Sequence, residues 1–246
     1  MTRPVRNVMP IKRGTNNNVN TSVILLGTAT ERECIKWGKP QLSWDIIKIQ
    51  IHIIRKVFPK IDIVVVSNEN FNNVLRIKDQ YQIRIVPHLR QSNENEMQDV
   101  KFGLSSCLSS GVIIICGNVL CSEGILRGIN TGVSKILVDK NDPQMKSENI
   151  GVMLNGKHVV NFAYDLHPKW GRIVYLDEHT LPQFTDIAFQ NGNTHKFLFE
   201  GLNQLIEQYG AISTYSPRDG YFLKKTYTSG DIKRAKKYYG IQEEIL

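Results

Sequence analysis

A glycine and a lysine with phosphate-binding spacing stand near the start of the chain. Gly27 ends an apolar, β-branched run that begins at Val23, and a polar loop then leads to Lys39 and Pro40. A glycine lets backbone N–H groups approach a ligand, and a lysine beyond the loop can neutralise phosphate. The stretch therefore predicts a phosphate-bearing ligand at the carboxyl end of a first strand. The alternative is that Lys39 is an ordinary surface lysine ahead of a helix.

The elements that must hold this loop alternate between apolar runs and amphipathic segments. The predicted strands are Ser22–Gly27, Ile61–Ser67, Gln82–Pro87 and Gly111–Cys116, separated by predicted helices near Trp44–Phe58, Glu69–Lys78 and Met97–Ser110. Connections of this length allow crossover helices between parallel strands. The order therefore predicts a mostly parallel sheet covered by helices.

The pattern changes after Gly117. Two short apolar runs flank Asn155-Gly156, which predicts a hairpin with a type I′ turn. The other predicted elements are strands at Lys135–Asp139, Gly171–Leu176, Ala211–Tyr215 and Tyr221–Leu223, and helices at Ser122–Asn130, Glu178–Phe189, His195–Tyr209 and Gly230–Tyr239. We predict an α/β fold: a Rossmann-like, mostly parallel mixed sheet with helices on both faces, in one domain over residues 21–246. Residues 1–20 are predicted to form a flexible basic arm.

The composition is ordinary for a globular protein, with 41% hydrophobic and 22% charged residues. No apolar run approaches the roughly 20 residues that cross a bilayer, so no membrane segment is expected. The four cysteines form no CxxC pair, which favours a reducing, cytoplasmic setting. The six histidines show no metal-binding spacing, and we expect most of them to be surface or core residues.

The net charge of +8 is concentrated near the two ends of the sequence. The basic residues in these clusters are Arg3, Arg6, Lys12 and Arg13, and Lys224, Lys225, Lys233, Arg234, Lys236 and Lys237. Such charge fits either attraction of a polyphosphate ligand, with a solvated tail and helix, or a nucleic-acid patch. The first interpretation is favoured, because no helix-turn-helix, RNA-binding or zinc-finger signature accompanies the charge.

Three motifs, taken in order, carry a family resemblance. Leu25 to Arg32 followed by Lys39-Pro40 is the first, MQDVKFGLSSCL is the second, and IIICGNVL is the third. Together with GRIVYLDEHTLPQFTDIA and YTSGDIKRAKKYYG, this order resembles the nucleotidyltransferases with a glycosyltransferase-A-like fold. The nearer branch resembles cytidylyltransferases acting on phosphocholine or methylerythritol phosphate. The family's second loop glycine is missing here, and the arginine falls one residue late.

The resemblance implies a nucleoside triphosphate substrate, with CTP as one candidate, and a small phosphorylated or sugar acceptor. It implies nucleotide contacts at Leu26, Gly27, Thr28, Ala29, Thr30, Asp99, Gly103 and Asn118. It also implies that Arg32 and Lys39 neutralise the leaving pyrophosphate. Two alternatives stay open: Asp99 could simply favour the positive end of its helix, and Asn118 could be a turn residue.

The metal positions depart from the family pattern. Two aspartates hold magnesium in the family, whereas Asn118 and Tyr227 stand at the corresponding places here. Magnesium prefers anionic carboxylates, so two neutral side chains should weaken a metal site considerably. Lys224 or Lys225 could supply the missing positive charge instead.

Three functions compete on this sequence. The first is nucleotidyl transfer from a nucleoside triphosphate to a small acceptor, with release of pyrophosphate. The second is a catalytically degenerate relative that binds nucleotide or serves in an assembly or with nucleic acid. A glycosyltransferase is a third, but its usual Asp-x-Asp element is not matched by the spacing of Asp139 and Asp142. The sequence is compatible with a homo-oligomer, and no membrane partner is expected.

Overall fold

The structure is a computed structural model of the 246-residue chain. It describes residues 20–27, 42–67, 78, 81–88, 94–117, 119–130, 132–140, 150–217, 223–225 and 229–241, and only the backbone of 42–45, 223–225 and 229. Within these ranges, nine strands form one sheet and two strands form a separate ribbon. Residues 1–19 of the predicted arm and most of the predicted helix Glu69–Lys78 lie outside the described residues.

The first half of the sheet is parallel. Its strands are β1 (Thr21–Leu26), β2 (Asp62–Ser67), β3 (Arg84–Pro87) and β4 (Gly111–Cys116), in the spatial order β3-β2-β1-β4. Helix α1 (Leu42–Val57) connects β1 to β2, and α2 (Glu96–Ser105) connects β3 to β4. Every residue of β1 and β4 is buried, as expected for strands covered on both faces. The four strands predicted here are confirmed.

The second half is mostly antiparallel. Its strands are β6 (Lys135–Asp139), β7 (Ile150–Asn155), β8 (His158–Tyr164), β9 (Lys169–Leu176) and β10 (Ile212–Tyr215). Strand β9 pairs antiparallel with β4, and the order β9-β6-β10-β8-β7 closes where β7 also pairs with β9, forming a small barrel. Of these pairings only β6–β10 is parallel. The prediction of a mostly parallel, Rossmann-like sheet is therefore wrong for this half.

Helices cover both faces of the sheet, as predicted. The remaining ones are α3 (Glu123–Ile129), α4 (Thr180–Phe189), α5 (Leu198–Tyr209) and α6 (Ser229–Tyr239). Val23 and Leu25 of β1 share one core with α1, α3 and α6, whereas Ile24 and Leu26 share the other with α2, α4 and α5. This alternation follows from the pleat of the strand. None of the described helices is both long and apolar enough to span a membrane.

Two boundaries differ from the sequence prediction for local reasons. Helix α2 ends at Ser105 rather than Ser110, where the hydroxyls of Ser105 and Ser106 donate back to carbonyls one turn earlier. The hairpin turn is Gly156-Lys157, because Asn155 already pairs with His158. Only Gly156 of that pair has a positive φ (59°), whereas type I′ needs two. The type I′ turn predicted at Asn155-Gly156 is therefore wrong.

Candidate functional site

The carboxyl ends of β1 and β4 form the centre of the candidate site. The chain leaves β1 toward β2 on one side, and β4 lies on the other side, so the connections diverge between these two strands. In open parallel sheets, ligands bind in the crevice at such a point. The Gly117 amide donates to the Leu26 carbonyl (2.9 Å), and the Gly27 amide donates to the Val66 carbonyl (2.7 Å). Three strand ends are thus fixed side by side.

Gly27 is required by close packing at this edge. An added Cβ would lie 2.8 Å from Ile47 Cδ1 and 2.9 Å from the Val66 carbonyl oxygen. One of these neighbours is backbone and cannot move cheaply, so a larger residue would push β1, β2 and α1 apart. The predicted strand end at Gly27 is confirmed, and its predicted contact with nucleotide stays a prediction.

The start of helix α2 carries a buried charged cluster. His88 Nδ1 lies 2.7 Å from Asp99 Oδ1, and its Nε2 lies 3.1 Å from Glu94 Oε2. The ring also contacts Phe102, with 4.5 Å between centroids. The hydrogen bond to Asp99 raises the pKa of His88, with the charges of Asp99 and Glu94 adding to it against the effect of burial. The cluster joins the end of β3 to α2.

Two residues predicted to lie near the base occupy this helix. Asp99 is fully buried, and its carboxylate is engaged by His88. Gly103 packs against β1, because an added Cβ would lie 2.7 Å from Ile24 Cγ2. The structure thus gives both residues a packing role, and their contact with a base stays a prediction.

A second buried ion pair lies where the two halves of the sheet meet. Arg172 of β9 donates from Nη2 to Glu96 Oε1 (2.6 Å), and Glu96 Oε2 accepts from the Leu198 amide at the start of α5 (3.1 Å). Arg172 has a left-handed φ of 56° where the register between β6 and β9 shifts. Bulges of this kind re-aim side chains. Here the bulge contains Arg172, whose side chain contacts Glu96, the first residue of α2.

The ribbon of two strands brings basic residues beside the end of β4. Strand β5 (Val119–Cys121) pairs antiparallel with β11 (Leu223–Lys225), with Lys225 opposite Val119 and Lys224 opposite Leu120. This register places the backbone of Lys224 and Lys225, the predicted substitutes for the metal charge, beside the segment that follows β4. The other predicted site residues lie outside the described part of the chain: Thr28, Ala29, Thr30, Arg32, Lys39, Asn118 and Tyr227.

Solved structures of other proteins share this architecture. No protein-family model and no curated protein matches the chain. An inositol-1-phosphate CTP transferase from T. maritima matches with a TM-score of 0.65 and 11% identity, covering 90% of this chain and 96% of that one. A nucleoside-diphosphate-sugar pyrophosphorylase from Vibrio cholerae gives 0.63 and 8%, covering 87% and 99%. A CTP:phosphocholine cytidylyltransferase from Streptococcus pneumoniae gives 0.62 and 9%, covering 89% and 99%.

The chain shares its fold with these solved nucleotidyltransferases. The resemblance drawn from the order of the sequence motifs is thereby confirmed at the level of architecture. A fold alone does not name a substrate or an activity.

The magnesium site that the sequence resemblance implies does not fit the residues present. No group of three His, Cys, Asp or Glu side chains that could hold a metal occurs among the described residues. The two positions expected to supply carboxylates hold Asn118 and Tyr227, which are neutral donors. Because magnesium depends on anionic oxygen ligands, we derive no step through it.

Two of the three described thiols are poor nucleophiles. Burial raises the pKa of Cys107 to about 11, and it raises the pKa of the buried Cys121 to about 12. Both therefore stay protonated at neutral pH. This agrees with a chemistry that needs no covalent protein intermediate.

Sequence reasoning missed three residues at this edge. His88 is a core histidine, as expected, but its contact with the start of α2 was not predicted, although its position directly after a strand was a usable signal. Arg172 had no signal, because its ion pair depends on a bulge. Gln50 of α1 had none either; it is 4% exposed and contacts the turn after β4.

Proposed function

We propose that this chain binds a nucleoside triphosphate at the carboxyl ends of β1 and β4 and transfers its nucleotidyl group to a small phosphorylated or sugar acceptor. The observation that carries this proposal is the junction at Gly27 and Gly117, where the connections of the parallel strands diverge within a nucleotidyltransferase fold. CTP is a reasonable first candidate, because two of the structural neighbours are named for CTP.

The proposed reaction is an in-line displacement at the α-phosphorus. An acceptor oxygen forms the new P–O bond while the bond from the α-phosphorus to the bridging oxygen breaks. That oxygen keeps the electron pair and leaves as part of pyrophosphate. Catalysis of this kind consists of holding two anions together and neutralising the charge that develops. Backbone N–H groups after Gly27, with Arg32 and Lys39, would supply that function.

The lysines of β11 are proposed to supply positive charge where the metal carboxylates are missing. The register of Lys225 opposite Val119 supports this idea, because it brings β11 next to the turn after β4. A fixed ammonium group can offset part of the phosphate charge that a metal would otherwise balance. This proposal is separable from the identity of the nucleotide.

A thermal-shift panel tests nucleotide binding directly. We expect one of CTP, UTP, GTP, ATP and dTTP to stabilise the chain, by about 2.7 kcal/mol at a hundredfold excess over Kd. Each nucleotide is measured with and without magnesium, and pyrophosphate release is then assayed with candidate acceptors. Stabilisation by none of the five would contradict the proposed function.

Lysine variants test the site with a matched control. Lys39→Ala should weaken nucleotide binding about tenfold or more, because a charge-assisted contact to phosphate is lost. Lys60→Ala removes the same charge from an exposed lysine just before β2, at the opposite edge of the sheet, and should leave Kd unchanged. Equal effects of the two variants would show that only the overall charge matters.

The double variant Lys224→Ala/Lys225→Ala tests the charge-substitution idea. We expect weaker nucleotide binding in the absence of magnesium, with the loss decreasing as salt concentration rises. An affinity equal to that of the wild type at low salt would eliminate this role for β11.

The second candidate is a nucleotide-binding relative without transfer activity. The neutral residues at both expected metal positions favour it. Nucleotide-dependent stabilisation without pyrophosphate release from any acceptor would support it over the enzyme.

A further inference from the structure

Gln50 of α1 reaches the turn that follows β4 with one buried amide group. Its Nε2 donates to the Val119 carbonyl (2.6 Å) and to the Gly117 carbonyl (3.1 Å). Those carbonyls belong to the residues on either side of position 118. Both N–H groups of the Gln50 amide thus donate to carbonyls just after β4.

The turn depends on this support because its own conformation is unusual. Gly117 has a left-handed φ of 46°, and its amide donates to the Leu26 carbonyl of β1. Gln50 is 4% exposed, so water cannot readily replace its two hydrogen bonds. Removing this donor from the buried Val119 carbonyl and the half-buried Gly117 carbonyl costs free energy, and the backbone there would then leave its ordered conformation more often.

We propose that Gln50 is a positioning residue for the nucleotide site, holding the backbone of Gly117 and Val119, just after β4, in its binding conformation. It would also couple this turn to α1, the helix that follows the Lys39 segment. A mobile turn would bind nucleotide only in the fraction of molecules in which it is correctly formed, so the measured Kd would rise in proportion. This inference rests on the proposed function.

Two variants separate positioning from simple stability. Gln50→Met keeps the approximate size of the side chain and removes both N–H donors. Ile53→Val is the matched control. Ile53 lies on the same helix and, like Gln50, lines a small void beside Val119, but its side chain makes no hydrogen bond to the residues after β4. Both should lower stability modestly. Should Gln50→Met not fold, Gln50→Asn retains an amide on an arm too short to reach both carbonyls.

The experiment measures amide hydrogen exchange at Gly117 and nucleotide affinity on each full-length variant. We expect Gln50→Met to exchange the Gly117 amide about tenfold faster and to raise the Kd of the nucleotide selected by the thermal-shift panel by a similar factor. Ile53→Val should change the affinity less than about twofold.

The two measurements keep this inference distinct from the proposed function. Unchanged exchange at Gly117 in Gln50→Met would overturn the inference, and so would faster exchange with wild-type nucleotide affinity. A wild-type chain that binds no nucleotide would overturn the proposed function and the nucleotide role of Gln50 together. In that case the exchange data would still decide whether Gln50 orders the turn.

Discussion

The two halves of the sheet are built differently. In the parallel half, β1, β2 and β4 are nearly continuous buried runs, with every residue of β1 and β4 buried, whereas the edge strand β3 is half-buried. The barrel half has strands with mixed exposure, such as β7, whose Met153 is 51% exposed, and β8, whose Tyr164 is 51% exposed. Covered strands read as unbroken apolar runs, whereas strands with one open face alternate. Local sequence patterns therefore identify the strands of the parallel half more clearly than those of the barrel half.

The difference also separates the proposed roles. The candidate nucleotide edge consists of backbone groups at strand ends in the parallel half, such as the amides of Gly27 and Gly117. The halves meet through the backbone pairing of β4 with β9, and also through side-chain contacts such as that of Arg172 in the barrel with Glu96 of α2. The backbone groups need glycine at these positions, whereas the buried ion pair needs both of its charged members. Variants at the junction and in each half can test this contrast.

Loss of the junction ion pair should have the largest effect. Arg172→Met leaves Glu96 buried without its partner, and we expect a loss of about 3–5 kcal/mol in the free energy of unfolding. The pair is well shielded, with side-chain exposures of 13% for Arg172 and 6% for Glu96. Urea denaturation followed by circular dichroism measures the loss. The double variant Glu96→Gln/Arg172→Met should recover part of it, and a loss below about 1 kcal/mol in the single variant would mean that the halves do not depend on this pair.

Closure of the barrel should be the next most sensitive feature. Gly151 of β7 pairs with Lys169 of β9 at the closing point, and an added Cβ would overlap the Leu166 carbonyl. Because backbone must move, Gly151→Ala should cost about 2–3 kcal/mol. Gly111→Ala, in β4 of the parallel half, meets its nearest atom at 3.3 Å and should cost less than about 1 kcal/mol. Equal losses would show that the barrel closure is not the more constrained of the two places.

The sequence predicted the parallel half well because local pattern contains the information. Strand Gly111–Cys116 matches the prediction residue for residue, and the helix ending near Phe58 ends at Val57. The barrel could not be predicted in the same way. Its closure depends on β7 pairing with β9 and on the bulge at Arg172, and neither follows from local apolar periodicity. The mostly parallel sheet was therefore an extrapolation from the first half to the second.

The candidate site, like the fold, was predictable only in part from the sequence. Gly27 at a strand end follows from the apolar run before it. The partner of Asp99 could not be identified, because His88 reaches it only after β3 and α2 pack together. Gln50 looks like any polar residue of an amphipathic helix, and only the fold shows that its amide contacts the turn after β4.

A smaller effect is expected from Asp177, at the junction of β9 and α4. Burial opposes ionisation of this carboxyl, but hydrogen bonds from the Thr180, Ser134 and His179 amides outweigh it and lower the pKa of Asp177. Its stabilisation is therefore complete above the unfolded-state pKa near 3.9 and is lost as pH falls through the lower folded-state pKa. Asp177→Asn should cost about 1–2 kcal/mol at pH 7.

Chemical denaturation of both proteins from pH 7 down to pH 2 measures this dependence. The stability gap between wild type and Asp177→Asn should narrow toward the acid end. A gap that stays constant over that range would mean that the charge of Asp177 does not contribute.

The smallest expected effect is the pH-dependent part of the His88 contribution in the parallel half. Its hydrogen bond to Asp99 raises the pKa of His88, so the charged imidazole is stabilised in the folded chain. That stabilisation is fully present below the unfolded-state pKa near 6.5 and is lost as pH rises through the higher folded-state pKa. The stability gap between wild type and His88→Gln should therefore be larger at pH 6 than at pH 9, measured by urea denaturation.

The neutral imidazole can still donate one hydrogen bond to Asp99, so part of the gap should persist at pH 9. His158→Gln, at an exposed histidine of the barrel half, provides the control and should change the free energy of unfolding little, because surface substitutions away from packed features have small effects. A flat gap for His88→Gln would mean that the cluster with Asp99 and Glu94 acts through packing rather than charge.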